Sequence, residues 1–177
     1  MPGERSLEIP ATWHWTRLGS VIDLLSGRDL AANDYGPLAV GVPYITGASN
    51  FRSGELRINR WTASPVTVAK QGDLLITCKG TIGELAVLHE PQAHIARQVM
   101  AITPIRVNLS FIGFFLTHSV NALKAQAKSM IPGISRDMVL RMPLPFPPLV
   151  EQERIVAKLD QIMPMIDELE KLEREQI

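Results

Sequence analysis

Apolar positions along the 177-residue chain fall into two kinds of pattern. Between residues 42 and 102 they come in short runs broken by glycine and polar pairs. These runs predict extended segments at Val42–Ile45, Glu55–Trp61, Pro65–Ala69, Asp73–Thr77, Leu85–Leu88 and Val99–Ile102. Gln71-Gly72 makes a turn, and Gly80 and Gly83 bracket another. Elsewhere the spacing is helical. Leu18, Val21, Ile22 and Leu25 lie at i, i+3, i+4 and i+7, which predicts a short amphipathic helix ended by Gly27. Phe111, Phe114, Phe115, Val120 and Leu123 predict a buried helix over 110–128, and Ser135 is placed to cap another over 136–142.

Residues 143–149 (Pro-Leu-Pro-Phe-Pro-Pro-Leu) are of another kind. Four prolines in seven residues exclude a helix interior or a central strand, so the segment is expected to be a stiff extended connector. Beyond it, Ile155, Leu159, Ile162, Ile166 and Leu169 step by four, three, four and three, a heptad seam on a long helix over Glu151–Gln176. Glu151 and Glu153 suit the positive end of its dipole, and Pro164 predicts a kink. A single rod with an apolar stripe must lie against its own body, a second copy or another protein. The expected fold class is therefore α+β: a mixed, mostly antiparallel sheet domain with a few helices over 1–142, the connector, and a coiled-coil-type helix over 150–177.

Charge separates the same parts. Residues 1–149 carry 14 Lys and Arg against 10 Asp and Glu, whereas residues 150–177 carry 4 against 8. The body is compatible with a polyanionic partner without being strongly basic. A lone cysteine, Cys78, cannot form an internal disulfide or a thiolate-rich metal site, and Met1-Pro-Gly-Glu-Arg has no apolar core of a signal peptide. No apolar run approaches the ~20 residues of a membrane span. The expectation is a cytoplasmic protein.

Catalytic chemistry is hard to find. Phe146-Pro147-Pro148-Leu149 lacks the amide or acid, and the final aromatic, of an amino-methyltransferase loop. Asp73 and Lys79 are spaced like a magnesium nuclease site, but Thr77 stands where the second carboxylate should be. His14, His89, His94 and His118 are scattered without metal-ligand spacing, and Cys78 reads as a buried strand thiol. The chain is expected to be non-catalytic.

Five stretches in order resemble the DNA-specificity subunits of type I restriction-modification systems. They are Ile9-Pro-Ala-Thr-Trp-His-Trp-Thr-Arg-Leu-Gly19, Pro43-Tyr-Ile-Thr-Gly-Ala-Ser-Asn-Phe51, Gly72-Asp-Leu-Leu-Ile-Thr-Cys-Lys-Gly-Thr-Ile-Gly83, Gly133-Ile-Ser135 and Leu144 through Asp160. The resemblance implies a target-recognition domain on a conserved helix, reading DNA for partner methyltransferase and restriction subunits. Those partners, not this chain, would hold S-adenosylmethionine, ATP and magnesium. Such subunits usually carry two recognition domains on two antiparallel helices; this chain has one of each, as expected either of a half-size subunit that works in pairs or of a fragment of a longer one. Two copies paired antiparallel through the heptad seam would restore that arrangement and read a bipartite site. The alternatives are an adaptor or decoy that binds the methyltransferase without reading DNA, and a recognition module split from a fused enzyme.

Base-reading side chains are expected on loops. Ser49, Asn50, Arg52 and Ser53 come first, in the glycine-bounded loop Thr46–Gly54, because Arg can fork to guanine and Asn to adenine. Lys79 and Thr81 are second, Arg28 and Asn33 third, and Lys128, Ser129, Ser135 and Arg136 fourth. Trp13 and Trp15 are expected to pack rather than stack on bases, and Arg57, Asn59 and Arg60 to form a solvent face.

Overall fold

The computed structural model describes residues 8–126 and 133–175. Two four-stranded sheets and a helical layer stack in that order. The inner sheet has the order β2 (Ile22–Ser26), β11 (Val99–Pro104), β8 (Leu74–Thr77), β9 (Leu85–Val87), all antiparallel. The outer sheet has the order β6 (Trp61–Thr62), β3 (Val42–Ile45), β10 (Gln92–Ile95), β7 (Val68–Lys70), in which only β3 and β10 run parallel.

The continuous apolar runs at 74–77 and 99–102 have a simple cause. Leu74, Ile76, Met100 and Ile102 face a core shared with α1 (Leu109–Gln126) and α2 (Arg136–Arg141). Leu75, Val99 and Ala101 face the opposite core, against Ile45, Ala69, Ala93 and Ile95 of the outer sheet. A strand covered on both faces has no polar alternation to show.

The helix expected over Leu18–Leu25 is not formed. Leu18–Ser20 is a single 3-10 turn and β2 follows it. Ile22 and Leu24 are buried while Asp23 and Leu25 are exposed, and β2 pairs with β11 from Ile22↔Pro104 to Ser26↔Met100. Five apolar residues in eight offer a helical stripe (Leu18, Val21, Ile22, Leu25) and a pleat (Ile22, Leu24), and pairing along β11 decided between them. Gly27 is not a helix stop either. It lies so close to the carbonyl of Ala96 that any β-carbon would overlap it.

The 55–61 stretch is likewise not one strand. It divides into β5 (Glu55–Leu56), which pairs with β4 (Phe51–Arg52), and the start of β6. By contrast α1 and α2 form as expected. The Asn108 carboxamide accepts from the Phe111 N–H at 3.0 Å, and the Ser135 hydroxyl accepts from the Met138 N–H at 3.2 Å.

The proline-rich segment is extended but is not a free connector. Pro143–Phe146 forms β12, antiparallel to β1 (His14–Arg17), with Leu144 fully buried. Pro143 and Pro145 alternate with Leu144 and Phe146, so a two-stranded ribbon can use one donor-bearing edge and leave the other to the prolines.

The terminal helix α3 (Leu149–Glu175) therefore starts against the body instead of being held away from it. Gln152 is fully buried there. Its carbonyl oxygen accepts from the Asn108 N–H at 2.9 Å, and its amide donates to the Pro147 carbonyl at 2.9 Å. Ile155 and Val156 pack on the helix-side core. The heptad seam is thus divided. Ile155 faces its own body and Leu159 and Ile162 are half-buried, whereas Ile166 and Leu169 are exposed, Leu169 at 62%. The helix continues through Pro164.

Replacing Gln152 by alanine is expected to lower stability by about 1–3 kcal/mol, because it leaves a buried N–H and a buried carbonyl unpaired. The urea midpoint should fall with the m-value unchanged.

Candidate nucleic-acid interface

Because both faces of the central strands are covered over Leu74–Thr77 and Val99–Ile102, the accessible chemistry of the inner sheet is concentrated towards the strand ends. Residues 95–98, which carry the chain from β10 to β11 and so from one sheet to the other, gather three other loops around them. The Arg28 N–H donates to the Ile95 carbonyl at 3.0 Å, the Ala96 N–H to Ile45 at 2.9 Å, and the Cys78 N–H to the Gln98 carbonyl at 2.8 Å. The loop beginning at Gly133 joins the same edge, since the Ile134 N–H donates to the Cys78 carbonyl at 2.9 Å.

Three of the expected loops are brought together here. Arg28 and Lys79 are exposed on the edge, flanking Arg97 and Gln98. Beyond Ile45, the chain makes a short 3-10 turn (Ala48–Asn50) and then the hairpin β4–β5. Its two-residue connection, Ser53 and Gly54, has φ of 50° and 83°, the double left-handed geometry that suits a tight hairpin. This hairpin faces the Lys79–Glu84 loop across an open cleft of about 430 Å³. Ser49, Arg52, Ser53, Thr81 and Glu84 line the cleft. Four cations, Arg28, Arg52, Lys79 and Arg97, are thereby set against Asp29 and Glu84.

Asn50 is the clearest departure from expectation. It is fully buried, and its carboxamide oxygen accepts from the Thr46 N–H at 2.9 Å, the Thr46 hydroxyl at 3.0 Å and the Gly47 N–H at 3.4 Å. Its amide donates to the Arg57 carbonyl at 2.8 Å and to Asn59 Oδ1 at 3.4 Å. A side chain so engaged shapes the loop and has nothing left to offer a base.

Ser135 caps α2, and the Arg136 guanidinium donates to the Leu24 carbonyl, so both hold the fold together. Asn33 is exposed in a 3-10 turn (Ala32–Asp34) fastened to β6, where the Thr62 hydroxyl donates to the Asp34 carbonyl at 2.7 Å. That places it beside the outer sheet's far strand rather than on the loop edge. Lys128 and Ser129 lie outside the described residues. Arg60 sits 5.3 Å over the Tyr35 ring instead of on a continuous strand face.

Sequence reasoning missed Arg97, Gln98 and His94. The first two were visible as a polar pair just ahead of the apolar run Val99–Ile102. His94 is fully buried beneath the edge. Its Nε2 lies 2.8 Å from the Arg28 carbonyl, and Nδ1 accepts from the Thr67 N–H at 3.1 Å and the Val66 N–H at 3.2 Å. These partners select the neutral ring with its proton on Nε2. Burial lowers its pKa below the usual 6.5, against the opposing pull of the Arg28 carbonyl. Burial also raises the Cys78 thiol, which keeps it protonated and poorly nucleophilic. Asp73 accepts from the Lys70 N–H at 2.8 Å and the Thr103 hydroxyl at 2.6 Å, a structural engagement. Among the described residues, no group of three or more His, Cys, Asp or Glu could hold a metal ion.

A family model described as the type I restriction modification DNA specificity domain matches residues 10–177. The chain belongs to this family. The EcoAI specificity subunit of Escherichia coli is 24% identical over 95% of this chain and 31% of its own length. The crystal structure of the HsdS subunit from Thermoanaerobacter tengcongensis superposes with a TM-score of 0.82 at 28% identity, covering 95% of this chain and 41% of that one. A chain from a structural study of complex assembly and conformational transition of the type I R-M system gives 0.85 at 27%, covering 98% and 44%. This specificity domain thus spans less than half the length of each relative.

Two outcomes follow for the loop edge. Stability contributed by His94 is present above about pH 6.5 and is lost as pH falls through its lower folded value, because an imidazolium cannot accept at Nδ1. Denaturation measured from about pH 8 to about pH 5 should decline by at most about 1.4 kcal/mol per pH unit for this one proton. His94→Gln should remove that component. Asn50→Ala should cost about 1–3 kcal/mol and loosen the 46–50 loop, read as faster amide exchange at Thr46 and Gly47.

Proposed function

We propose that this chain is the sequence-reading component of a type I restriction-modification complex. It would be non-catalytic itself, grip duplex DNA with the loop edge, and present the site to methyltransferase and restriction subunits. The observation that carries the reading is the convergence on one edge of exposed Arg28, Lys79, Arg97 and Gln98 with the Arg52–Thr81 cleft, in a chain of the specificity-domain family. S-adenosylmethionine, ATP and magnesium, and the methylation of adenine, belong in this reading to the partner subunits, in the cytoplasm. The alternative of an adaptor that binds the methyltransferase without reading DNA has no use for such an edge.

Two copies would act together. Beyond Met163 the terminal helix keeps Met165, Ile166, Leu169 and Leu172 exposed, a stripe its own body does not reach. At 1.5 Å per residue the 27-residue α3 is about 40 Å long. Antiparallel pairing of two such rods would bury both stripes and set two heads at opposite ends, matched to a bipartite, two-fold-related site.

A gel shift against duplex DNA at rising salt tests the first part. A sequence-selective complex should outlast the purely electrostatic one, and binding that vanishes uniformly with salt would favour the adaptor. Sedimentation tests the second. The wild type should be dimeric at micromolar concentration and Ile166→Asp with Leu169→Asp should give a monomer; a wild-type monomer would sink the pairing.

A further inference from the structure

Arg97 stands apart from the other cations on the loop edge. Its Nε is 2.8 Å from Asp29 Oδ2, and its own backbone N–H donates to Asp29 Oδ1 at 3.1 Å. The one carboxylate therefore grips both the backbone and the near side of the guanidinium. The side chain is 67% exposed, and no partner meets its two Nη groups among the described residues. The turn beneath is fixed on every side: Val99 N–H donates back to the Ala96 carbonyl at 2.9 Å, Cys78 N–H to Gln98, and the Cys78 thiol to the Arg97 carbonyl at 3.6 Å. An ion pair this exposed adds little to stability. What it does fix is direction. The rotamer freedom of a long side chain is given up in advance, and the two-pronged end is left projecting from a rigid turn.

We propose that Arg97 is a DNA-contacting fork and that Asp29 is its positioning residue. The Nη pair would take two adjacent, coplanar acceptors on a duplex, either N7 and O6 of a guanine or two oxygens of a phosphate. Holding Nε with a carboxylate leaves this end-on approach as the geometry available. Among the described residues, Arg28 and Lys79 have no such carboxylate, so their charges are not aimed in this way. This inference rests on the DNA-reading proposal above.

The test uses the full chain and a duplex library with a randomised central segment. Wild type should enrich a sequence; if it enriches none, the DNA-reading proposal falls and this one with it. With the enriched duplex as probe, Arg97→Ala should weaken binding roughly 10- to 100-fold. Loss confined to one G·C pair identifies a base contact. Uniform loss with a salt slope smaller by about one identifies a phosphate. Unchanged affinity and selectivity in Arg97→Ala overturns the proposal. Arg97→Lys should bind as poorly as the alanine variant, and recovery to wild-type affinity would show that charge alone suffices and overturn the fork. Asp29→Ala should weaken binding in the wild-type background but add nothing to Arg97→Ala, with thermal midpoints unchanged. Equal losses in both backgrounds would overturn the positioning role.

Discussion

Over Leu74–Thr77 and Val99–Ile102 the central pair β8 and β11 has no solvent face, and this constraint organises the molecule. Leu74 and Ile76 lie under helices, and Leu75 lies against a second sheet. Nothing polar can be displayed from the flat of such a strand without leaving it unsatisfied. Contact chemistry is therefore driven to the ends, where glycine-bearing turns bring backbones together. The loops at 28–29, 45–50 and 78–84 each hydrogen-bond to the 95–98 turn because each leaves a strand near the same edge. His94 does the same from below, joining the Arg28 carbonyl to the Val66–Thr67 backbone with one neutral ring.

Much of this was legible in the sequence, and the failures have physical causes. Runs such as Leu74–Thr77 and Val99–Ile102 announced strands because double-sided burial requires unbroken apolar character. Ser135 announced a cap because its hydroxyl is needed by the Met138 N–H. Leu18, Val21, Ile22 and Leu25 misled because a short segment with five apolar residues offers a helix stripe as well as the Ile22 and Leu24 pleat. Only pairing with β11, about 80 residues away, separates them. Asn50 was a sound choice on residue type and loop position, yet its burial depends on Arg57 and Asn59 returning beside it. Arg97 was overlooked because its partner, Asp29, is 68 positions distant. Local pattern finds elements; long-range hydrogen bonds decide which polar groups remain free.

The terminal helix divides its duties along its length. Its first turns belong to the head, through Gln152 and the contacts of Ile155 and Val156 with the core. Its last turns have apolar side chains and no core to meet. The excess of acid over base in residues 150–177 also sets the arm electrically apart from the head. Phosphates that attract the loop edge would repel the arm, so charge alone favours one orientation of the molecule on a polyanion.

The ribbon formed by β1 and β12 has a consequence for how such a head can be reused. His14 stands opposite Phe146 and Arg17 opposite Pro143, so the chain enters and leaves the globular part side by side. A unit whose two ports adjoin can be spliced into a longer polypeptide, duplicated in tandem, or rewired to begin elsewhere, with little distortion of its interior. Exchange of whole heads between scaffolds is then a matter of joining two neighbouring peptide bonds.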